Sequence, residues 1–192
     1  MAQSKEKEIL ITGFGGQGII LTGDIIGKAA VLYENKHATM TQSYGPEARG
    51  GACSSQVIIS EDEILYPYVE KPKVLICMSQ EGFNKNAGLL VDGGLLILDN
   101  DLVQPKELKS SWEVYYVPAT RFAEEMGNKM MANIVMLGFL SAVSDVACPE
   151  SIKKAVLASV PPQTRDQNAS AFDRGREYGE ALLKAKGKKS EG

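Results

Sequence analysis

Apolar positions along this chain follow two periods that take turns. Short runs at 9–12, 52–60, 74–78, 95–98 and 114–117 are continuous or β-branched and are bounded by glycine, proline or charged residues. Runs of that length predict strands, and those without alternation predict strands covered on both faces. Residues 36–42 predict a further strand with a polar side. Between these runs the spacing becomes helical. Leu21, Ile25, Ile26, Ala29 and Leu32 recur every three or four positions, which predicts a helix over 17–33. Other helices are predicted at 81–90, stopped by Gly93-Gly94, and at 119–126, 129–143, 150–159 and 169–186. Pro149 stands where the first turn of a helix has no use for an N–H.

Strands alternating with helices imply a sheet with helices on both faces, an α/β three-layer sandwich in a single domain over 1–192. The acidic turn Glu61-Asp62-Glu63 is followed by a short apolar stretch at 64–66 that could return as an antiparallel strand. The expected sheet is therefore mostly parallel but mixed.

Composition narrows the function classes. Of 192 residues, 44% are hydrophobic and 23% charged, an ordinary globular mix. A net charge of -3 and a pI near 5.3 give no bulk surface for a nucleic-acid duplex, though they leave room for a local anion site. The apolar stretch at 134–140 is too short to span a bilayer, and the opening MAQSKEKE has no secretory apolar core. The expectation is a soluble cytoplasmic protein with no nucleic-acid or membrane partner. Cys53, Cys77 and Cys148 form no CxxC pair and are expected to be buried apolar fillers. With His37 the only histidine, no metal constellation and no catalytic group is visible. Asp99, Asn100 and Asp101 read as a solvated turn rather than a magnesium site, and Met130, Met131 and Met136 as core or interface filling.

Two loops carry the candidate chemistry. Gly13, Gly15 and Gly18 satisfy GxGxxG between a strand and a helix, so Gly15, Gly16, Gln17 and Gly18 form a turn whose exposed N–H groups favour an anion. A dinucleotide fingerprint also needs an acidic residue at the end of the second strand. Here that strand carries His37, Thr39, Thr41 and Gln42, and Glu34 precedes it. The alternative is a tight turn that binds nothing. The second loop is Ser43, Tyr44, Gly45, Pro46, Glu47, Ala48, Arg49, Gly50 and Gly51. It joins rigid turn formers to Tyr, Glu and Arg at the carboxyl end of a strand, where open α/β sheets bind ligands. Arg49 suits a phosphate, a carboxylate or a partner's acidic side chain, and it could also simply pair with Glu47 on the surface.

GxGGQG followed by SYGPEARGG resembles the gamma subunit of 2-oxoacid:ferredoxin oxidoreductases, and is similar to the matching internal domain of single-chain pyruvate:ferredoxin oxidoreductases. Asn133-Ile134-Val135-Met136-Leu137-Gly138 and Asn168-Ala169-Ser170-Ala171-Phe172-Asp173-Arg174-Gly175 also resemble that family, and the likeness spans 8–183. The resemblance implies a complex that converts a 2-oxoacid, coenzyme A and oxidised ferredoxin to acyl-CoA, carbon dioxide and reduced ferredoxin. Thiamine diphosphate and the iron–sulfur clusters would sit on alpha, beta and delta partners, and this chain would bind no cofactor tightly. It further implies that Gly15, Gly16, Gln17, Gly18, Arg49 and Asn133 help place coenzyme A. Ser43, Tyr44, Gly45, Pro46, Glu47, Gly50 and Gly51 would shape a loop against the active site and the neighbouring chain. The resemblance leans towards 2-oxoglutarate as substrate, with pyruvate and branched-chain 2-oxoacids open. Isolated, such a chain could self-associate through an apolar face. The readings held against this one are a stand-alone dinucleotide-binding oxidoreductase and a purely structural assembly subunit.

Overall fold

The computed structural model describes residues 6–45 and 51–190. Its strands are β1 (Lys7–Phe14), β2 (His37–Tyr44), β3 (Ala52–Ser60), β4 (Val74–Cys77), β5 (Leu95–Asp99) and β6 (Glu113–Val117). Its helices are α1 (Ile19–Glu34), α2 (Gln80–Asn86), α3 (Ala119–Glu125), α4 (Ala132–Val143), α5 (Pro149–Ser159) and α6 (Arg165–Ser190). Alternation along β1 sets the layering, because successive side chains of a strand point to opposite faces. Ile9 and Ile11 enter a large core with α1, α3, α4, α5 and α6, while Leu10 enters a smaller one with Leu75, Leu96 and Phe83 of α2. The three-layer α/β sandwich expected from the sequence is present, with most of its helical mass on one face.

The sheet order is β2-β3-β1-β4-β5-β6. Strands β1, β4, β5 and β6 are mutually parallel, and β3 runs antiparallel to both of its neighbours, β1 and β2. The sheet is mixed for a different reason from the one expected. Residues 64–66 form no strand. Pro67, which has no N–H, follows it directly, and the donors of 69–71 beyond turn to side chains. Val69 N–H donates to Gln56 Oε1 at 3.0 Å, and the N–H groups of Glu70 and Lys71 both reach Glu8 Oε2. The antiparallel strand is β3 itself, entered through the short connection from β2.

Helix α4 is the centre of the larger core. Every residue from Ala132 to Ser141 is buried, the pattern of a helix surrounded by protein. Its closest neighbour is α6, and glycines permit the approach. A Cβ at Gly138 would lie 1.9 Å from the Phe172 carbonyl oxygen, and a Cβ at Gly175 would lie 1.9 Å from that of Val135. The two apolar motifs that resembled a family are thus the two sides of one helix–helix contact.

Asp99 departs from expectation. It is fully buried rather than part of a solvated turn. Its carboxylate accepts hydrogen bonds from the Thr120 hydroxyl at 2.7 Å and from the N–H groups of Thr120 and Asp101 at 3.1 Å, which ties the end of β5 to the start of α3. Burial pushes its pKa above the usual 3.8, against the downward pull of those hydrogen bonds. The cysteines divide. Cys53 and Cys77 are buried as expected, and burial drives the Cys77 thiol up to about 12; Cys148 is exposed. Met131 and Met136 are core residues, whereas Met130 lies at the surface.

Two predictions follow from the packing and the buried acid. Gly138→Ala is expected to destabilise the chain by about 1–3 kcal/mol, because α4 and α6 must separate. Gly27→Ala, at a helical site with open space around it, should instead stabilise by about 0.5–1 kcal/mol. Urea unfolding of both variants checks the pair. Asp99 should titrate above 3.8 by NMR. A raised folded-state pKa means that its contribution to stability is present at pH below the free carboxyl range and is lost as pH rises through that midpoint.

Candidate functional site

Parallel strands put their carboxyl ends on one rim of the sheet, and both candidate loops leave from that rim. After Phe14 the chain turns through Gly15 to Gly18 into α1. Gly16 and Gly18 take φ of +96° and +73°, a region open chiefly to glycine. The left-handed Gly18 also delays the helix to Ile19, two residues later than its periodicity suggested. The first intrahelical bond runs from Thr22 N–H to the Gly18 carbonyl at 2.9 Å. The N–H groups of Ile19, Ile20 and Leu21 therefore precede the ladder, at the positive end of the helix. Gly15 and Gly16 are exposed.

Gln17 has a different role from the one its position suggested. Its Oε1 accepts Phe14 N–H at 2.7 Å, and its Nε2 donates to the Met78 carbonyl at 2.8 Å. The side chain bolts the turn to the end of β4 and has both ends occupied. Asn133 is likewise drawn inward. It is 2% exposed and donates to the Gly18 carbonyl at 3.4 Å, and a Cβ at Gly18 would come within 2.4 Å of its Nδ2. Both residues set the shape of the turn from beneath, leaving Gly15 and Gly16 as its outward surface.

The second loop divides between strand and arc. Ser43 and Tyr44 are not loop residues: they extend β2, opposite Ser54 and Cys53. Gly45 N–H donates to the Ala52 carbonyl at 2.6 Å. Gly51 accepts Gly15 N–H at 2.9 Å, so the stem of the arc is bonded directly to the glycine turn. Pro46, Glu47, Ala48, Arg49 and Gly50 lie outside the described residues. Their two stems, Gly45 and Gly51, stand on the same rim as the turn.

A cleft of about 50 Å³ opens beside these stems on the α2 face. Thr12, Gly13, Ser43 and Ser54 line one side, and Glu81, Gly82, Lys85 and Asn86 of α2 the other. No site role for α2 was read from the sequence. A signal was available in Gly82, an isolated glycine within a helix, which marks close approach of a neighbouring element. A Cβ there would lie 2.5 Å from Thr12 Oγ1. Ser79 caps this helix, its hydroxyl accepting Gly82 N–H at 3.0 Å. The cleft thus offers hydroxyls, backbone and one side chain of each charge at its edge.

The sheet order bears on dinucleotide binding. In a Rossmann unit the second strand lies beside the first, so that its acidic end reaches the ribose. Here β3 separates them, and the end of β2 carries Gln42, Ser43 and Tyr44. Among the described residues no three His, Cys, Asp or Glu side chains converge as a metal cluster would need, and His37 is an exposed residue at the start of β2. No described helix is long and apolar enough to cross a membrane.

Comparison with known proteins bears directly on this geometry. Residues 8–178 match the family model described as pyruvate ferredoxin/flavodoxin oxidoreductase. The chain is 47% identical over 178 residues to the 2-oxoglutarate synthase subunit KorC of Methanocaldococcus jannaschii, covering 92% of this chain and 95% of that one. It also superposes on the keto/oxoacid ferredoxin oxidoreductase gamma subunit of Geobacter sulfurreducens with a TM-score of 0.79 and 39% identity, over 91% of this chain and 99% of that one. The fold recurs in the 2-oxoglutarate:ferredoxin oxidoreductase of Magnetococcus marinus, with a TM-score of 0.84 and 23% identity, where it covers 93% of this chain and 32% of the longer one. With the turn, its bonded arc and the α4–α6 glycine contact all inside the matched span, the chain belongs to the pyruvate ferredoxin/flavodoxin oxidoreductase family, in its separate gamma-type form.

Proposed function

We propose that this chain is the gamma subunit of a cytoplasmic 2-oxoglutarate:ferredoxin oxidoreductase, and that the rim carrying Gly15, Gly16 and the arc with Arg49 is its contribution to the active site. The observation that carries this reading is the hydrogen bond from Gly15 N–H to the Gly51 carbonyl. It joins the glycine turn to a stem of the second loop. Near-full-length similarity to a 2-oxoglutarate synthase subunit supports the choice of oxoacid. The reaction converts the 2-oxoacid, coenzyme A and oxidised ferredoxin to acyl-CoA, carbon dioxide and reduced ferredoxin.

Alpha, beta and delta partners carry the thiamine diphosphate and the iron–sulfur clusters, and ferredoxin meets the complex through them. Thiamine diphosphate supplies the carbanion and radical chemistry there, and the clusters take the electrons. The residues of this chain position and exclude. The Gly15–Gly16 turn lets a phosphate of coenzyme A, or a partner backbone, approach closely, and the adjacent helix end favours negative charge. Arg49 offers a planar pair of donors to that charge. Gln17 and Asn133 keep the turn in the receptive shape, and Tyr44, Pro46, Glu47 and Gly50 hold the arc against the neighbouring chain.

Co-expression with the partner chains tests this directly. The wild-type chain should co-purify with subunits bearing thiamine diphosphate and iron–sulfur clusters. Arg49→Ala should raise the KM for coenzyme A about tenfold or more, the loss of one charge-assisted hydrogen bond. If both assembly and the coenzyme A KM are unchanged, the site is wrongly placed. If only assembly suffers, the chain is a structural subunit.

A further inference from the structure

The sheet stops at β2, and no described strand pairs with its outer edge. The phase of that edge is fixed by the bond from Gly45 N–H to the Ala52 carbonyl. Bonded residues alternate in an antiparallel ladder, so the odd-numbered residues of β2 bond to β3. Ala38, Met40, Gln42 and Tyr44 therefore direct N–H and C=O outward. Natural edges of this length are usually blunted by lysine, proline or a bulge. The strand His37-Ala38-Thr39-Met40-Thr41-Gln42-Ser43-Tyr44 has no lysine and no proline, and it pairs with β3 in unbroken register. Beside it, on the α1 face, lies a groove of about 340 Å³ lined by Gly27, Lys28, Val31, Leu32, Ala38 and Met40. Leu32 is 63% exposed and Tyr44, at the far end of the strand, 64%.

We propose that β2 pairs with β2 of a second copy of this chain, antiparallel about a two-fold axis through Thr41, to make one continuous sheet. In that register Ala38 faces Tyr44 of the other copy and Met40 faces Gln42, so all four outward positions on each strand are bonded. The protruding Tyr44 of one copy then comes down beside Ala38 of the other, at the mouth of the groove formed with Val31 and Leu32. Knob and hole lie equally far on either side of Thr41, which is the symmetry an isologous pair requires. The strand itself carries no Asp, Glu, Lys or Arg, Asp24 and Lys28 at the groove already pair at 2.6 Å within each copy, and at its start Lys36, paired to Glu34, and Glu63 stand beside Ala38 and Thr39. The groove opens beside the edge strand on the α1 face and the candidate cleft on the α2 face, and Tyr44, which also lines that cleft, is the one outward-bonding residue the pairing shares with it.

The register gives a sharp test on the full chain. Thr41 faces its own copy in a non-hydrogen-bonded pair, with Cα atoms about 4.5 Å apart, within reach of a disulfide. In a Cys148→Ser background, Thr41→Cys should cross-link to a covalent dimer on mild oxidation. Thr39→Cys, which faces Ser43 of the other copy, should not. Sedimentation velocity should show a dimer for the wild type. Gln42→Pro should weaken it about tenfold or more, since that residue's N–H points away from β3 and the change spares the intrachain ladder. Met40→Lys, with a circular-dichroism check of folding, should weaken it as well. A wild-type chain that stays monomeric at all concentrations would leave the edge to a strand of another subunit and overturn the pairing. So would Thr39→Cys cross-linking as fast as Thr41→Cys, or Gln42→Pro and Met40→Lys variants that dimerise undiminished.

Discussion

The hydrogen bond between Gly15 and Gly51 depends on where β3 sits. A parallel β1-α1-β2 unit left to itself would place β2 next to β1, with the loop after β2 continuing into a helix. Here the chain instead turns back through the arc and inserts β3 between the two parallel strands. Both ends of the arc are thereby held at the carboxyl rim, one within the β2–β3 ladder and one bonded to the glycine turn. A backbone bond of this kind contributes only about 1 kcal/mol in isolation. Its importance is geometric, because it ties the glycine turn to a stem of the arc thirty-odd residues away in sequence.

The apolar architecture was legible because burial leaves a periodic record. The all-apolar β4, the apolar run Leu95–Leu98 of β5 and the helical spacing of α1 follow from contacts on known faces. The departures occurred where polar side chains or backbone geometry decided the outcome. Polar β2 ran two residues past its expected end, because Ser43 and Tyr44 pair with β3 whatever their polarity. The 64–66 stretch had strand-like residues but is followed by Pro67, and the chain just beyond it is held by Gln56 and Glu8 instead. Asp99 seemed solvated from its acidic neighbours in sequence. Its buried carboxylate is hydrogen-bonded by Thr120, twenty-one residues away, and no local pattern announces such a partner.

That the two candidate loops start from one rim was legible, because both follow the carboxyl ends of strands. The motif letters did not show which side chains would be drawn inward. Gln17 and Asn133 stand among the conspicuous letters of the motifs, yet their amides are turned to Phe14, Met78 and Gly18. An amide with a donor and an acceptor at one end of a short side chain suits this task, since it can satisfy two backbone groups of opposite polarity at once. The α2 side of the cleft left only the weaker trace of Gly82.

The molecule is asymmetric in a way that fits a subunit rather than a self-contained enzyme. Five of the described helices pack on one face of the sheet, with α4 enclosed, while the other face has α2 and irregular chain. Stability therefore resides in the α4–α6 half, where Gly138 and Gly175 bring the helices to backbone contact. The edge strand β2, largely exposed, lies outside that support, while β3 beside it still sends Val57 and Ile59 into the core. Such a division lets loops at the rim and the outer strand meet other chains without loosening the core, since the contacts that hold the fold are made elsewhere. Glycine has served both halves by the same property, the absence of a Cβ. In α4 and α6 it allows helices to touch, and at Gly16 and Gly18 it allows a turn whose outer surface is backbone.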